Sequence, residues 1–516
     1  MTDTTVRPAG AQEESASSMA EQTSSPAIEL SVGDQDRGLT PRARNYKFTG
    51  LSLGVVLALA MWFLLPDSLG HDIRVTAAVA VLIGAWWITE AAPLAITALI
   101  PLIAFPATGV ASMAELGAHY MSPIILLFLG GFILAMALQR WNLHKRLAIR
   151  IVLFIGTRPS RLVAGFMIAT AGLSMWVSNT ATAMMMIPMD MSMVTLLEQQ
   201  KLIPKKSKFG TALALGIAYG ATIGGMGTVI GSPVNIIVVG YIRETLEYPV
   251  SFLQWMSVGI PFVVIMLFIG WFLLTKVFWK PEVDSIPGGR EIFEQQLRQL
   301  GKLQGGERAV LIIFVATALS WVFIPTFSPE GFWVDDTAIA LIAAFACMLI
   351  PAKPREGVMV MTWKDAEQMP WDVLLLIGGG LALSSQITSS GLSTALGDSL
   401  SILAGAPLWV ITLAVIIMLL LLTELTSTTA TTAAFVPVVG GLALALGLNP
   451  VVLVIAAGMA CTCAFMLPVA TPPNALAYST GSVTMKQMIQ TGVWMNVVSV
   501  VVVTIVALTL VPAIFG

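Results

Sequence analysis

LVAGFMIATAGLSMWVSNTATAMMMIPMDMSMVTLL, residues Leu162–Leu197, is an apolar stretch interrupted by the polar triplet Ser178-Asn179-Thr180. On its N-terminal side lie six basic residues in Arg140–Arg161, and on its C-terminal side four lysines in Lys201–Lys208. Basic residues concentrate on the cytoplasmic side of membrane helices. If the stretch crossed the bilayer, one of these clusters would lie outside. A hairpin that enters and leaves on one face, with 178–180 at its tip, keeps both inside.

The whole chain has the composition that this reading needs. Its 516 residues are 56% apolar and 11% charged, with a mean hydropathy of +0.85. A soluble domain carries about a quarter charged residues. Apolar runs approaching the ~20 residues that span a bilayer recur, for example Leu51–Leu65, Arg308–Ile324 and Val493–Val511. Backbone groups in lipid must be satisfied within the segment, so the fold class is an all-α polytopic membrane protein.

Applying the charge rule along the chain places the N-terminus in the cytoplasm and the C-terminus outside a cell inner membrane. All but Arg74 and Arg243 of the 27 Lys and Arg residues then lie inside. A second interrupted stretch, Leu408–Leu446 with its tip at 427–429, has no basic residue on either flank and reads as a hairpin opening outside. The path predicts about eleven transmembrane helices plus two re-entrant hairpins. Residues 1–46, polar and without an apolar h-region, read as a disordered cytoplasmic tail. Residues 47–275 form a first half, 276–307 a cytoplasmic linker and 308–516 a second half.

The halves echo one another. Leu126-Leu127-Phe128-Leu129-Gly130-Gly131 matches Leu374-Leu375-Leu376-Ile377-Gly378-Gly379, and Ser178-Asn179-Thr180-Ala181-Thr182-Ala183 matches Ser427-Thr428-Thr429-Ala430-Thr431-Thr432. Gly231-Ser232-Pro233-Val234-Asn235 matches Ala470-Thr471-Pro472-Pro473-Asn474. Five crossings separate equivalent points, an odd number, so the repeat is inverted, an arrangement typical of secondary transporters.

Two hairpin tips and two broken helices should converge near mid-membrane. Each starts a helix just after a polar cluster, and free N–H groups with the positive dipole end favour a carboxylate. Ser178, Asn179, Thr180, Ser427, Thr428 and Thr429 supply hydroxyl and amide donors. Ser232-Pro233 and Thr471-Pro472 mark the breaks and complete the substrate-facing set. Two similar clusters suit a substrate with two anionic ends. No Lys or Arg lies in these segments, so a buried dianion needs mobile cations. Sodium held by carbonyl and hydroxyl oxygens answers this, and protons also could. Glu90 and Glu424 are intramembrane acids that read either as ion relays or as hydrogen-bonded structural carboxylates near helix ends.

The remaining chemistry-bearing residues are uninformative. Cys347, Cys461 and Cys463 lie in apolar segments, and His71, His119 and His144 form no ligand pattern. There is no Walker-A loop, no basic domain for nucleic acid, and no nucleophile–base pair; the chain does not read as an enzyme.

Trp87-Ile88-Thr89-Glu90-Ala91-Ala92-Pro93-Leu94, Ser178-Asn179-Thr180, Gly224-Gly225-Met226-Gly227-Thr228 and the two Pro-containing breaks together resemble the divalent anion:sodium symporter family. The resemblance covers roughly Tyr46 to Gly516. It implies a homodimer whose transport domain moves in an elevator-type mechanism against a scaffold. It also implies a first sodium at Ser174, Ser178, Asn179 and Gly231, and a second at Thr423, Thr426, Thr428 and Ala470. The implied activity is sodium-coupled symport of C4 dicarboxylates such as succinate, fumarate or malate. Sodium-independent dicarboxylate antiport and transport of sulfate or another divalent anion are the alternatives. Members commonly carry Ser-Asn-Thr at both tips, whereas the second tip here is Ser427-Thr428-Thr429, which implies a reshaped second ion and substrate site.

Overall fold

The computed structural model describes residues 40–286, 288–329, 332–399 and 405–516. The tail reading falls mostly on residues 1–39, outside the described residues. The first described helix is Pro41–Leu64, so the tail boundary drawn at Tyr46 falls inside a helix. Among the described residues nine helices are long and apolar enough to cross a membrane, and shorter apolar helices accompany them. Strand is confined there to one two-stranded ribbon, Pro351–Lys353 with Val358–Met359.

Two broken helices form the core of residues 47–516. The first runs Lys208–Gly224, a 3₁₀ turn at Val229–Gly231, and Pro233–Glu244. The second runs Pro450–Thr462 and resumes at Pro472–Ser479. Every residue of Phe209–Gly224 and of Val451–Thr462 is buried. Helices apolar all round are buried ones, and these two are wrapped by two helix–turn–helix units. One unit pairs Pro159–Ser174 with Asn179–Gln199, and the other pairs Leu408–Thr423 with Thr428–Ala445.

Small residues set the spacing. A Cβ on Gly224 would lie 2.4 Å from the Ala171 carbonyl oxygen, so only glycine lets the first hairpin arm approach the broken helix so closely. The repeated glycine pairs also serve packing: a Cβ on Gly130 would lie 2.5 Å from Ala340 backbone, and one on Gly379 2.3 Å from the Ala98 carbonyl.

The described residues of 276–307, the stretch expected to link the halves, include helix and pack against the first hairpin. The helix Phe252–Phe272 continues as a π-helical turn, Leu273–Phe278, and a further helix spans Gly289–Gln299. Its buried Phe293 meets Phe166 of the first hairpin at 5.9 Å between ring centroids. Nearby, Arg146 makes a two-pronged ion pair with Glu307, with Nη2 2.9 Å from Oε2, and donates to the Leu300 and Gly301 carbonyls. Both side chains are buried, at 3% and 11% exposure. Removing one member of such a pair strands the other charge. Glu307→Ala should therefore cost about 3 kcal/mol or more, read as an early thermal unfolding midpoint in detergent. An unchanged midpoint would show that the pair does not hold the linker.

Candidate functional site

The two breaks have the same construction. Ser232 and Thr471 are both extended, at φ −146°, ψ 142° and φ −141°, ψ 145°. Each caps the helix that follows, accepting from Val234 N and Asn474 N respectively, both at 3.4 Å. Proline just after each cap costs no donor, since the first helical N–H groups have no intrahelical partner. Three residues past each cap stands an asparagine. Asn235 Nδ2 donates to Gly225 O at 2.8 Å and Thr228 O at 2.7 Å. Asn474 Nδ2 donates to Ala464 O at 3.0 Å and Leu467 O at 3.2 Å. In both halves the acceptors lie ten and seven residues before the asparagine, so one side chain bridges the carbonyls that the break frees.

The tips are built alike too. Ser178 Oγ accepts from Ala181 N at 3.3 Å, and Ser427 Oγ from Ala430 N at 3.5 Å. Four helices thus begin at one place, and a cavity of about 350 Å³ lies among their starts. Ser178, Asn179, Thr180, Ser232 and Pro233 line it from one half, and Thr428, Thr429, Thr471 and Pro472 from the other. Of the residues expected to face substrate, Ser427 alone does not line this cavity; its hydroxyl is turned to its own helix cap. Phe132, Thr222, Pro370, Val373 and Thr462, at positions with no motif to mark them, line it too, as do Ile230, Gly231 and Pro473. The lining carries no ionisable side chain. What it offers is hydroxyls, an amide and helix N-terminal N–H groups, an arrangement suited to an anion.

Of the first set of expected ion ligands, Ser178, Asn179 and Gly231 line the cavity, and Ser174 meets Asn179 beside it. Buried Ser174 donates to Ala221 O at 2.7 Å. One face of the Asn179 amide lies 2.6 Å from Ser174 Oγ and 3.2 Å from both Ala221 O and Gly231 O. With Oδ1 on that face, oxygen meets only oxygens; with the amide turned, NH₂ satisfies all three. A cluster of oxygens converging on one point also fits a sodium ion, a hard cation that takes carbonyl and hydroxyl ligands. The second set is more loosely joined. Thr423 Oγ1 donates to Leu420 O at 3.0 Å, whereas Thr426 Oγ1 bonds Leu422 O at 2.9 Å and Thr431 Oγ1 at 2.7 Å. Ala470 is buried beside the second break. Threonine at 428 has no amide to reach Thr423 as Asn179 reaches Ser174, so the two sites differ where the tip sequences differ.

Glu424 and Glu90 separate clearly. Glu424 is 3% exposed and accepts from Phe465 N at 2.8 Å, Met466 N at 3.0 Å, Leu467 N at 3.1 Å and Asn496 Nδ2 at 2.6 Å. The carboxylate thus holds the N–H groups of the second break, while Asn474 holds its carbonyls. Tyr219 adds a bond to Phe465 O at 3.2 Å. Glu90 instead is exposed, caps the helix His71–Thr89 in the left-handed region at φ 48°, and does not line the cavity. Of the two readings left open by the sequence, the hydrogen bonds of Glu424 favour the structural one, whereas Glu90 stands at a helix end away from the cavity.

A helical membrane protein with paired helix breaks around a polar cavity has the fold of a membrane transporter. Solved transporters share it at the level of fold: the Alcanivorax borkumensis YdaH transporter, with a TM-score of 0.54 and 13% identity over 77% of this chain and 86% of that one. Neisseria gonorrhoeae MtrF, from a class of antimetabolite efflux pumps, gives a TM-score of 0.54 and 12% identity over 87% and 97%. Residues 45–515 match the family described as the sodium:sulfate symporter transmembrane region, and the chain belongs to that family. A sodium-dependent dicarboxylate transporter, SdcS of Staphylococcus saprophyticus, is 41% identical over 482 residues, covering 91% of this chain and 92% of that protein. The protein of the same name from Staphylococcus aureus strain USA300 is 40% identical over 476 residues, covering 90% and 92%.

Replacing Glu424 with Gln would turn an NH₂ group toward N–H donors or leave them short of acceptors. Hydrogen bonds to a charged group contribute about 1.5–3 kcal/mol each. Glu424→Gln should lower the thermal midpoint and the transport rate together, and a normal midpoint with lost transport would instead assign the carboxylate a role in ion passage.

Proposed function

We propose that the protein is a sodium-coupled symporter of C4 dicarboxylates, succinate, fumarate or malate, across the cytoplasmic membrane. The observation that carries this reading is the cavity itself: helix starts and hydroxyl groups from both halves face one space that has no ionisable side chain. Ser178-Asn179-Thr180 would hold one carboxylate and Thr428-Thr429 with Thr471 the other. Ser232, Pro233 and Pro472 would shape the walls between them. A dianion placed there without compensation is severely unfavourable. Sodium at Ser174, Ser178, Asn179 and Gly231, and at Thr423, Thr426, Thr428 and Ala470, would supply the missing positive charge beside it. Sodium binding then raises affinity for the dianion, and the dianion raises affinity for sodium by the same factor. The names of the SdcS relatives, sodium-dependent dicarboxylate transporters, support both parts.

In this reading residues 47–275 and 308–516 are inverted halves, and the two hairpins are re-entrant, one opening to each side. The hairpins and broken helices move as one body against the other helices, in an elevator-type mechanism. Only 11% of the residues in the apolar span of the helix Arg44–Leu64 are buried, which leaves an apolar surface for lipid and for the scaffold of a homodimer. The N-terminus is cytoplasmic and the C-terminus outside.

Sulfate is the competing substrate, because the family description names it. Two polar clusters on opposite walls favour a longer, two-ended anion over a compact one. The test is labelled succinate uptake into proteoliposomes. Expected are at least tenfold stimulation by an inward sodium gradient, and competition by fumarate and malate but weakly by sulfate. Exchange against internal succinate with no sodium stimulation would replace symport with antiport, and stronger competition by sulfate would replace the substrate.

A further inference from the structure

A second cavity, of about 490 Å³, lies on the outer side of the first hairpin. Met167, Gly172 and Met175 line it from the arm Pro159–Ser174 and the turn that follows, and Val264, Phe268 and Trp271 from the helix Phe252–Phe272. Val264 and Phe268 are 60% and 64% exposed, so the groove is open along its length. Its lining residues carry no ionisable group.

The two ends of the groove differ. At one end Trp271 Nε1 donates to Ser160 O at 2.8 Å, and Lys276 Nζ stands 5.9 Å from the centre of the Trp271 ring. Arg158 and Arg161 flank Ser160 in sequence, and all three basic residues are exposed. Among the described residues none of the three pairs with a carboxylate. At the other end is Met175. Its carbonyl accepts from Thr228 Oγ1, and its side chain packs where a Cβ on Gly227 would come within 2.8 Å. The groove therefore runs from a tryptophan that lies beside Lys276 and is bonded to the segment carrying Arg158 and Arg161, to the back of the first helix break.

We propose that this groove seats an anionic phospholipid, with its phosphate at Arg158, Arg161 and Lys276 and one acyl chain running to Met175. An apolar seat gains favourable free energy with each methylene buried. Tryptophan and basic side chains gather at the headgroup level, where they select negative lipid. A zwitterionic lipid brings its own cation along with its phosphate and so adds no net negative charge beside the three basic residues. The inference rests on the reading above only in placing the open end of the hairpin at the membrane surface.

The test uses the purified full-length chain in detergent, titrated with phosphatidylglycerol or phosphatidylcholine and followed by native mass spectrometry and thermal unfolding. Phosphatidylglycerol should bind at least tenfold more tightly than phosphatidylcholine. Arg161→Gln and Lys276→Gln should each weaken it about fivefold, the contribution expected of one basic residue at an anionic surface. A Cβ at Gly172 meets nothing within 4 Å, so Gly172→Phe starts its side chain in open space on a residue that lines the groove. It should abolish the tight lipid adduct while leaving the midpoint in lipid-free detergent no lower than that of the unsubstituted protein, because glycine is a poor helix former. Equal binding of the two lipids, or unchanged phosphatidylglycerol binding by Gly172→Phe, would overturn the proposal. No transport is read in this assay, so its failure would leave the sodium:dicarboxylate reading standing, and the reverse also holds.

Discussion

A helix broken within a bilayer exposes N–H and C=O groups that lipid cannot satisfy, each at a cost of several kcal/mol. This molecule breaks two such helices in its most buried region, and five of its buried polar side chains are spent on the consequence. Asn235 and Asn474 bridge the freed carbonyls, Ser232 and Thr471 cap the resumed helices, and Glu424 gathers the N–H groups of Phe465, Met466 and Leu467. Once the breaks are held open, the helix ends left facing the cavity are the only strong electrostatic feature there. The binding site follows from the bracing.

That order explains the absence of fixed charge in the cavity. A lysine or arginine in the lining would bind an anion without help, and would also hold it. Helix dipoles and hydroxyls bind weakly enough that a cation must contribute, which is the physical basis of coupling. The oxygens around Ser174, Asn179, Ala221 and Gly231 adjoin the cavity, which Asn179 and Gly231 line. An ion there would share Asn179 with the substrate. The differing second tip, with Thr428 in place of an amide, would make the two proposed ion sites unequal in a chain whose breaks are otherwise near copies.

The sequence was legible where a residue type had one physical use. Ser178-Asn179-Thr180 between apolar arms could only be a polar tip, and the serine- and threonine-proline pairs could only be breaks; both stand at the cavity. The side chains doing the bracing were harder to read. Asn235 and Asn474 were visible as matching letters, but their role appears only when the chain folds back over seven and ten residues. Glu424 could be read as a relay or as a structural acid, since its four hydrogen-bonding partners come from segments about forty and seventy residues away. Cavity residues such as Thr222 and Pro370 came from positions with no motif. The start of the first helix at Pro41 was hidden because Arg42, Arg44 and Lys47 give it a polar opening.

The central claim is that one anion is held between the tips of both halves, with sodium sharing Asn179. An experimental structure determined with saturating sodium and succinate tests it most directly. The expected result is one carboxylate at Ser178-Asn179-Thr180, the other at Thr428-Thr429, and an ion within coordination distance of Ser174, Asn179 and Gly231. Succinate bound by one half alone, or an Asn179 amide whose nitrogen fills the proposed ion position, would contradict it.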